Sequence, residues 1–99
     1  MKKEITPLNL WIGNRLKELR LQAGYSKNGF ARLLNITRIG LTNMESGTQT
    51  INSRDIFNAS VLLGISPAEF FPLFGEANEY VPLNAETARK VFEAQLITK

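Results

Sequence analysis

With 99 residues, 43% of them hydrophobic, the chain can build one modest core, and no linker or composition break divides it in two. It has neither cysteine nor histidine, which excludes disulfides, thiolate and imidazole chemistry and the usual zinc sites, and with them most enzyme classes. The net charge of +3 is unevenly laid out: residues 1–54 hold nine Lys/Arg against three Asp/Glu and residues 55–99 three against six, as in a chain with one basic face.

The longest apolar runs, such as Val61–Ile65, fall far short of the roughly 20 residues that cross a bilayer. Met1–Glu4 is not followed by an apolar signal segment. A soluble cytoplasmic protein without membrane contact, metal or cofactor is expected.

The pattern is a series of short helices. Asn9 is the expected cap of a first helix over 10–23, with Ile12, Leu16, Leu19 and Ala23 inward and Gly24 as its stop. Ser26 caps a second, which turns Phe30, Ala31, Leu33 and Leu34 inward, contains Gly29 at a cost of about 1 kcal/mol, and breaks at Asn35. Thr37 caps a third with Leu41 and Met44 inside and Gly47 at its end. The short connection Asn35-Ile36-Thr37 forces the second and third helices to cross steeply, with Ile36 between them.

A fourth helix starts at Asn52, where Asp55 supplies the carboxylate of a capping box, and runs through Ile56, Ala59, Ser60 and Leu63 to Gly64. Ser66 as cap, Pro67 in the first turn and Glu69 closing a capping box signal a fifth that carries Phe70 and Phe71 and ends at Pro72. Leu73–Pro82 reads as a loop or strap, with Glu79–Leu83 as a brief extended arm. Asn84 then caps a sixth helix with Ala85, Ala88, Val91, Phe92 and Gln95 or Leu96 along one stripe. The expected division is a helical domain over 9–71 and a C-terminal extension over 72–99.

The segment Gly24-Tyr-Ser-Lys-Asn-Gly-Phe-Ala-Arg-Leu-Leu-Asn-Ile-Thr-Arg-Ile-Gly-Leu-Thr-Asn-Met-Glu-Ser-Gly47 resembles the helix-turn-helix of phage repressors and Cro proteins, the Xre family. The likeness runs ungapped from Ile12 to Phe71. It rests on the ordered set Ile12, Arg20, Gly24, Ser26, Ala31, Ile36, Thr37, Leu41, Met44, Glu45 and Gly47, then Leu63-Gly-Ile-Ser-Pro-Ala-Glu-Phe-Phe71. The resemblance implies an all-α, five-helix, lambda-repressor-like domain that binds operator DNA, frequently as a homodimer on a palindrome. Three positions depart from the family pattern. Lys27 replaces a glutamine whose amide contacts a phosphate, Asn35 a glycine in the turn, and Ile51 a proline after the recognition helix.

With Leu41 and Met44 inside, the third helix exposes Arg38, Ile39, Thr42 and Asn43. Arg38 can bond two acceptors of guanine, Asn43 can pair with adenine, and Thr42 or Ile39 can pack on a thymine methyl; the plain alternative is a solvated helix face. Gly40 either admits a close approach to DNA or has no role. Lys27, at the start of the second helix, is the first candidate for a phosphate, followed by Lys17, Arg32, Thr48 and Gln49. Lys2 and Lys3 are readable as a basic arm beside the duplex or as an ordinary terminus. The resemblance pairs Arg20 with Glu45, half-buried, to fix the angle of the recognition helix.

A single helix-turn-helix reads few base pairs, so double-stranded DNA and a second copy of the chain are the expected partners. Ile51, Phe57, Phe70, Phe71, Leu73, Phe74, Tyr80, Val91 and Phe92 form an apolar surplus that fits either an interface or a tail folded back on its own core. The rival reading is an interaction module of the same fold, such as an antitoxin bound to a toxin, or a partner of another regulator. Catalysis has little to draw on, because Glu76, Glu79 and Glu86 lie in the weakly patterned tail without a metal-like or nucleophilic neighbour.

Overall fold

Thr6 and Pro7 start the first helix. In the computed structural model, which describes residues 6–72 and then Glu86, Arg89–Val91, Glu93 and Ala94, helix α1 spans Pro7–Gln22. The Thr6 side chain accepts from the Asn9 amide at 3.1 Å, and Pro7 occupies a first-turn position where its missing N–H costs nothing. The start therefore lies earlier than the expected residue 10, and Asn9 is not the cap. Its side chain instead donates to Thr50 Oγ1 at 3.1 Å, tying α1 to the loop that follows the third helix.

The next three helices follow their caps. Helix α2 spans Lys27–Leu34 behind Ser26, α3 spans Arg38–Ser46 behind Thr37, and α4 spans Ser53–Leu63 behind Asn52. Each cap oxygen accepts an amide three residues on. Gly47 and Gly64 close α3 and α4 in left-handed conformation, and Asn35 does the same for α2 at φ 58°, ψ 44°. The turn residue standing in for glycine thus adopts the glycine conformation.

The fifth element is a four-residue 3-10 helix, Pro67–Phe70, rather than an α-helix. Pro72 follows too closely for an α-helical turn to propagate. Its Glu69 does not serve a capping box: the Glu69 side chain and carbonyl both accept from Arg15 of α1, at 3.1 and 3.0 Å. Asp55, the other expected box residue, is buried with Oδ1 lacking a hydrogen-bond partner, 3.6 Å from Arg54 Nε. Among the described residues there is no strand.

Ile12, Leu16, Phe30, Ala31, Leu34, Leu41, Met44, Ala59 and Phe70 form the core, and Trp11, Leu19, Ile36, Ile51 and Leu63 pack around it. Full burial of each large apolar side chain stabilises the fold by about 1.5–3 kcal/mol. Phe70 is therefore core, not surplus; Phe71 next to it is exposed. Leu33 and Ala23, expected inward, are also exposed: α2 turns Phe30, Ala31 and Leu34 to the interior, and α1, which ends before Ala23, turns Ile12, Gly13, Leu16 and Arg20. Tyr25 fastens the α1–α2 connection: its ring lies 5.2 Å from that of Phe30 and its hydroxyl donates to the Leu62 carbonyl.

The described residues near the C-terminus, Glu86, Arg89–Val91, Glu93 and Ala94, are helical and exposed, with Lys90 and Glu86 3.5 Å apart. Ala85, Ala88, Phe92, Gln95 and Leu96 of the anticipated sixth-helix stripe lie outside the described residues, as do the Leu73–Pro82 strap, the Glu79–Leu83 arm and Lys2 and Lys3. No helix among the described residues is long and apolar enough to cross a membrane.

Candidate nucleic-acid interface

Helix α3 is held by one face and open on the other. Leu41, Met44 and Glu45 are buried, and the most extensive interhelical packing in the fold is that of α1 on α3. Arg38, Ile39 and Thr42 point outward, Ile39 with 74% of its surface exposed, and Asn43 is half-exposed beside them. The four base-contact candidates thus share the open face. Thr42 Oγ1 donates to the Arg38 carbonyl at 3.0 Å, so its hydroxyl proton is committed within the helix and its methyl is what it offers outward. A Cβ at Gly40 would lie 3.0 Å from Thr37 Oγ1, the cap oxygen of α3.

The inner face is fixed by a buried ion pair. Arg20 Nε donates to Glu45 Oε2 at 2.7 Å and a terminal nitrogen donates to Oε1 at 3.2 Å, with the two side chains 5% and 3% exposed. The remaining terminal nitrogen donates to the Tyr25 carbonyl at 2.9 Å, a partner with no signal in the sequence. The pair is more deeply buried than the half-buried contact expected, and α1, α3 and the α1–α2 connection meet at one guanidinium.

Apart from Arg38, the candidate cations are arranged around this helix rather than on it. Lys27 is half-buried at the first position of α2, where the helix N-terminus already favours an anion. Lys17 is exposed on α1 and Arg32 on the last turn of α2. Thr48 and Gln49 belong to the loop after α3, and both of their amides donate to the Asn43 carbonyl, at 3.0 and 3.2 Å. The Thr48 hydroxyl donates to the same carbonyl. Their backbone and the Thr48 proton are therefore occupied, and the Gln49 side chain is what remains to reach a phosphate.

A depression of about 510 Å³ runs along α1 between Trp11, Arg15, Glu69 and Phe71, and none of the predicted contact residues lines it. No group of three or more acidic residues among those described is placed to hold a metal ion.

The family model described as helix-turn-helix, HTH_3, matches residues 16–70. No curated protein matches the chain. Among solved structures it is similar to the restriction-modification controller protein C.AhdI from Aeromonas hydrophila, at 30% identity and TM-score 0.60, covering 64% of this chain and 96% of the controller. It is also similar to the SinR protein/SinI protein complex, at 26% identity and TM-score 0.57, covering 85% of this chain and 78% of that one. A likeness to hydroxypropylphosphonic acid epoxidase from S. wedmorenis, at 20% identity and TM-score 0.62, covers 68% of this chain but only 36% of the epoxidase and is one of fold alone. Matched over more than half its length, the chain belongs to the Xre-like helix-turn-helix family HTH_3.

Proposed function

We propose that this chain is a regulator of transcription that binds double-stranded DNA in a sequence-dependent way, as a homodimer, with α3 in the major groove. The observation that carries the reading is the division of α3 into a face locked by Leu41, Met44 and the Arg20–Glu45 pair and a face that presents Arg38, Ile39, Thr42 and Asn43. Arg38 reads guanine through two parallel hydrogen bonds, Asn43 reads adenine, and Ile39 and the Thr42 methyl pack on thymine. Lys27 holds one phosphate together with the free amides of the α2 N-terminus, and Lys17, Arg32 and Gln49 reach flanking phosphates. Thr48 contributes mainly by shaping its loop. Specificity from so short a helix calls for two copies. Phe57 and Val61, one turn apart on α4 and 60% and 64% exposed, supply an apolar surface for the second.

Selection from a random-duplex library at physiological salt, with sedimentation of the same samples, tests this. Enrichment of a palindrome bound by two subunits, lost in Arg38→Ala, is the expected result. Salt-sensitive binding without enrichment would sink it.

A second reading is favoured by one observation, the likeness over 85% of this chain to a structure of two proteins in complex. In that reading the exposed apolar face of α4 receives another protein, and DNA binding is secondary.

A further inference from the structure

Gly13 lies buried in the middle of α1, where a glycine weakens a helix relative to alanine. The cost has a steric counterpart in α3. A Cβ built on Gly13 would stand far inside contact distance of the Met44 carbonyl oxygen, 2.9 Å from the Glu45 carbonyl oxygen and 3.0 Å from its carbonyl carbon. All three atoms are backbone, so no side chain can swing aside to make room. The last turn of α3 therefore rests directly on the backbone of α1.

Two residues of α1 act on the same turn. Gly13 sets how closely the Met44–Glu45 backbone approaches, and Arg20, two helical turns further on, grips the Glu45 carboxylate from the side. The first is a contact stop and the second a tether. Together they define both the depth and the tilt of a helix only nine residues long.

We propose that Gly13 is a positioning residue for the recognition helix, one whose hydrogen-sized side chain sets the pose in which Arg38 and Asn43 meet base edges; this rests on the DNA-binding reading above. Any larger residue forces the two backbones apart by on the order of 1 Å, beyond the roughly 0.5 Å within which a recognition constellation keeps its geometry. Because phosphate contacts tolerate more displacement than paired hydrogen bonds to bases, the loss falls on specificity before it falls on affinity.

The test is Gly13→Ala, compared with the unaltered protein on its selected duplex and on a random one, with residual dipolar couplings and interhelical NOE distances together reporting the orientation and separation of α3 and α1 in DNA-free protein. The expected result is a displaced α3, a loss of about tenfold or more on the selected duplex, and a change within about threefold on the random one. An unmoved α3, an equal loss on both duplexes, or a change in stability alone overturns the proposal. If the unaltered protein selects no duplex, the DNA reading fails by itself, and the couplings and distances still decide whether Gly13 sets the pose of α3. Should the variant be unfolded in buffer, the measurements are repeated in trimethylamine N-oxide, which favours the compact state. A chain that stays unfolded there gives Gly13 a role in stability only and also overturns the proposal.

Discussion

The guanidinium of Arg20 meets the carboxylate of Glu45 through two hydrogen bonds, 2.7 and 3.2 Å, in a site where both side chains are almost wholly buried. A buried pair of this kind is costly to desolvate and costly to break, so its value lies less in net stability than in where it holds the two helices.

Removing one partner leaves the other charge buried and unpaired. Arg20→Ala should lower the free energy of unfolding by about 3–5 kcal/mol, read as a fall in the urea midpoint at unchanged slope. The double variant Arg20→Met, Glu45→Leu should recover most of that loss, because two apolar groups of similar volume carry no desolvation penalty. If the double variant is as unstable as the single one, the pair contributes through its shape rather than its charge.

Substitutions on the open face should separate reading from holding. Arg38→Ala is expected to cost about 1–3 kcal/mol of binding on the selected duplex and to relax the preference at one base position, with stability unchanged within about 0.5 kcal/mol. Lys27→Ala should weaken binding to all duplexes alike and reduce the slope of log affinity against log salt by about one. Titrations at several salt concentrations distinguish the two, and a sequence-dependent effect of Lys27→Ala would move it into the groove.

Much of this arrangement is legible in the sequence because it depends on local signals. Ser26, Thr37 and Asn52 announce helix starts through side chains that reach their own backbone, and the outward set Arg38, Ile39, Thr42 and Asn43 follows once Leu41 and Met44 are turned inward. What stays hidden depends on residues far apart in the chain. Asn9 is as good a cap as Thr6 until Thr50, 41 residues away, engages its side chain. Glu69 completes a capping pattern in sequence, yet Arg15 takes its carboxylate. Gly13 carries only a helix penalty until the carbonyls of Met44 and Glu45 are seen against it.

Asn35 offers a test of how much strain the turn carries. At φ 58° it lies where a side chain with a Cβ is disfavoured by about 1–2 kcal/mol, a cost that asparagine lowers by local hydrogen bonding. Asn35→Ala should therefore destabilise the domain by about 1 kcal/mol. That corresponds to a drop in Tm of about 4–8 °C for a chain of this size. Asn35→Gly should lie close to the unaltered protein, since relief of strain is offset by a more flexible unfolded chain. A Tm for the alanine variant equal to that of the glycine variant would mean that the turn relaxes into another conformation.

The apolar face of α4 is the place to test assembly, because Phe57 and Val61 make no demand on the core. Both are more than half exposed, and the interior of α4 is already supplied by Ala59, Ser60 and the half-buried Ile56, Leu62 and Leu63. Phe57→Asp should thus leave the stability of the isolated domain nearly unchanged while placing a desolvated charge in any apolar contact between two copies. Sedimentation should show a shift from dimer to monomer, and affinity for a palindromic duplex should fall toward that for its half-site, because the second helix is no longer delivered with the first. A variant that remains dimeric with full affinity would move the contact away from α4. One that stays monomeric like its parent, yet loses binding to a captured protein, would favour the interaction-module reading of the same surface.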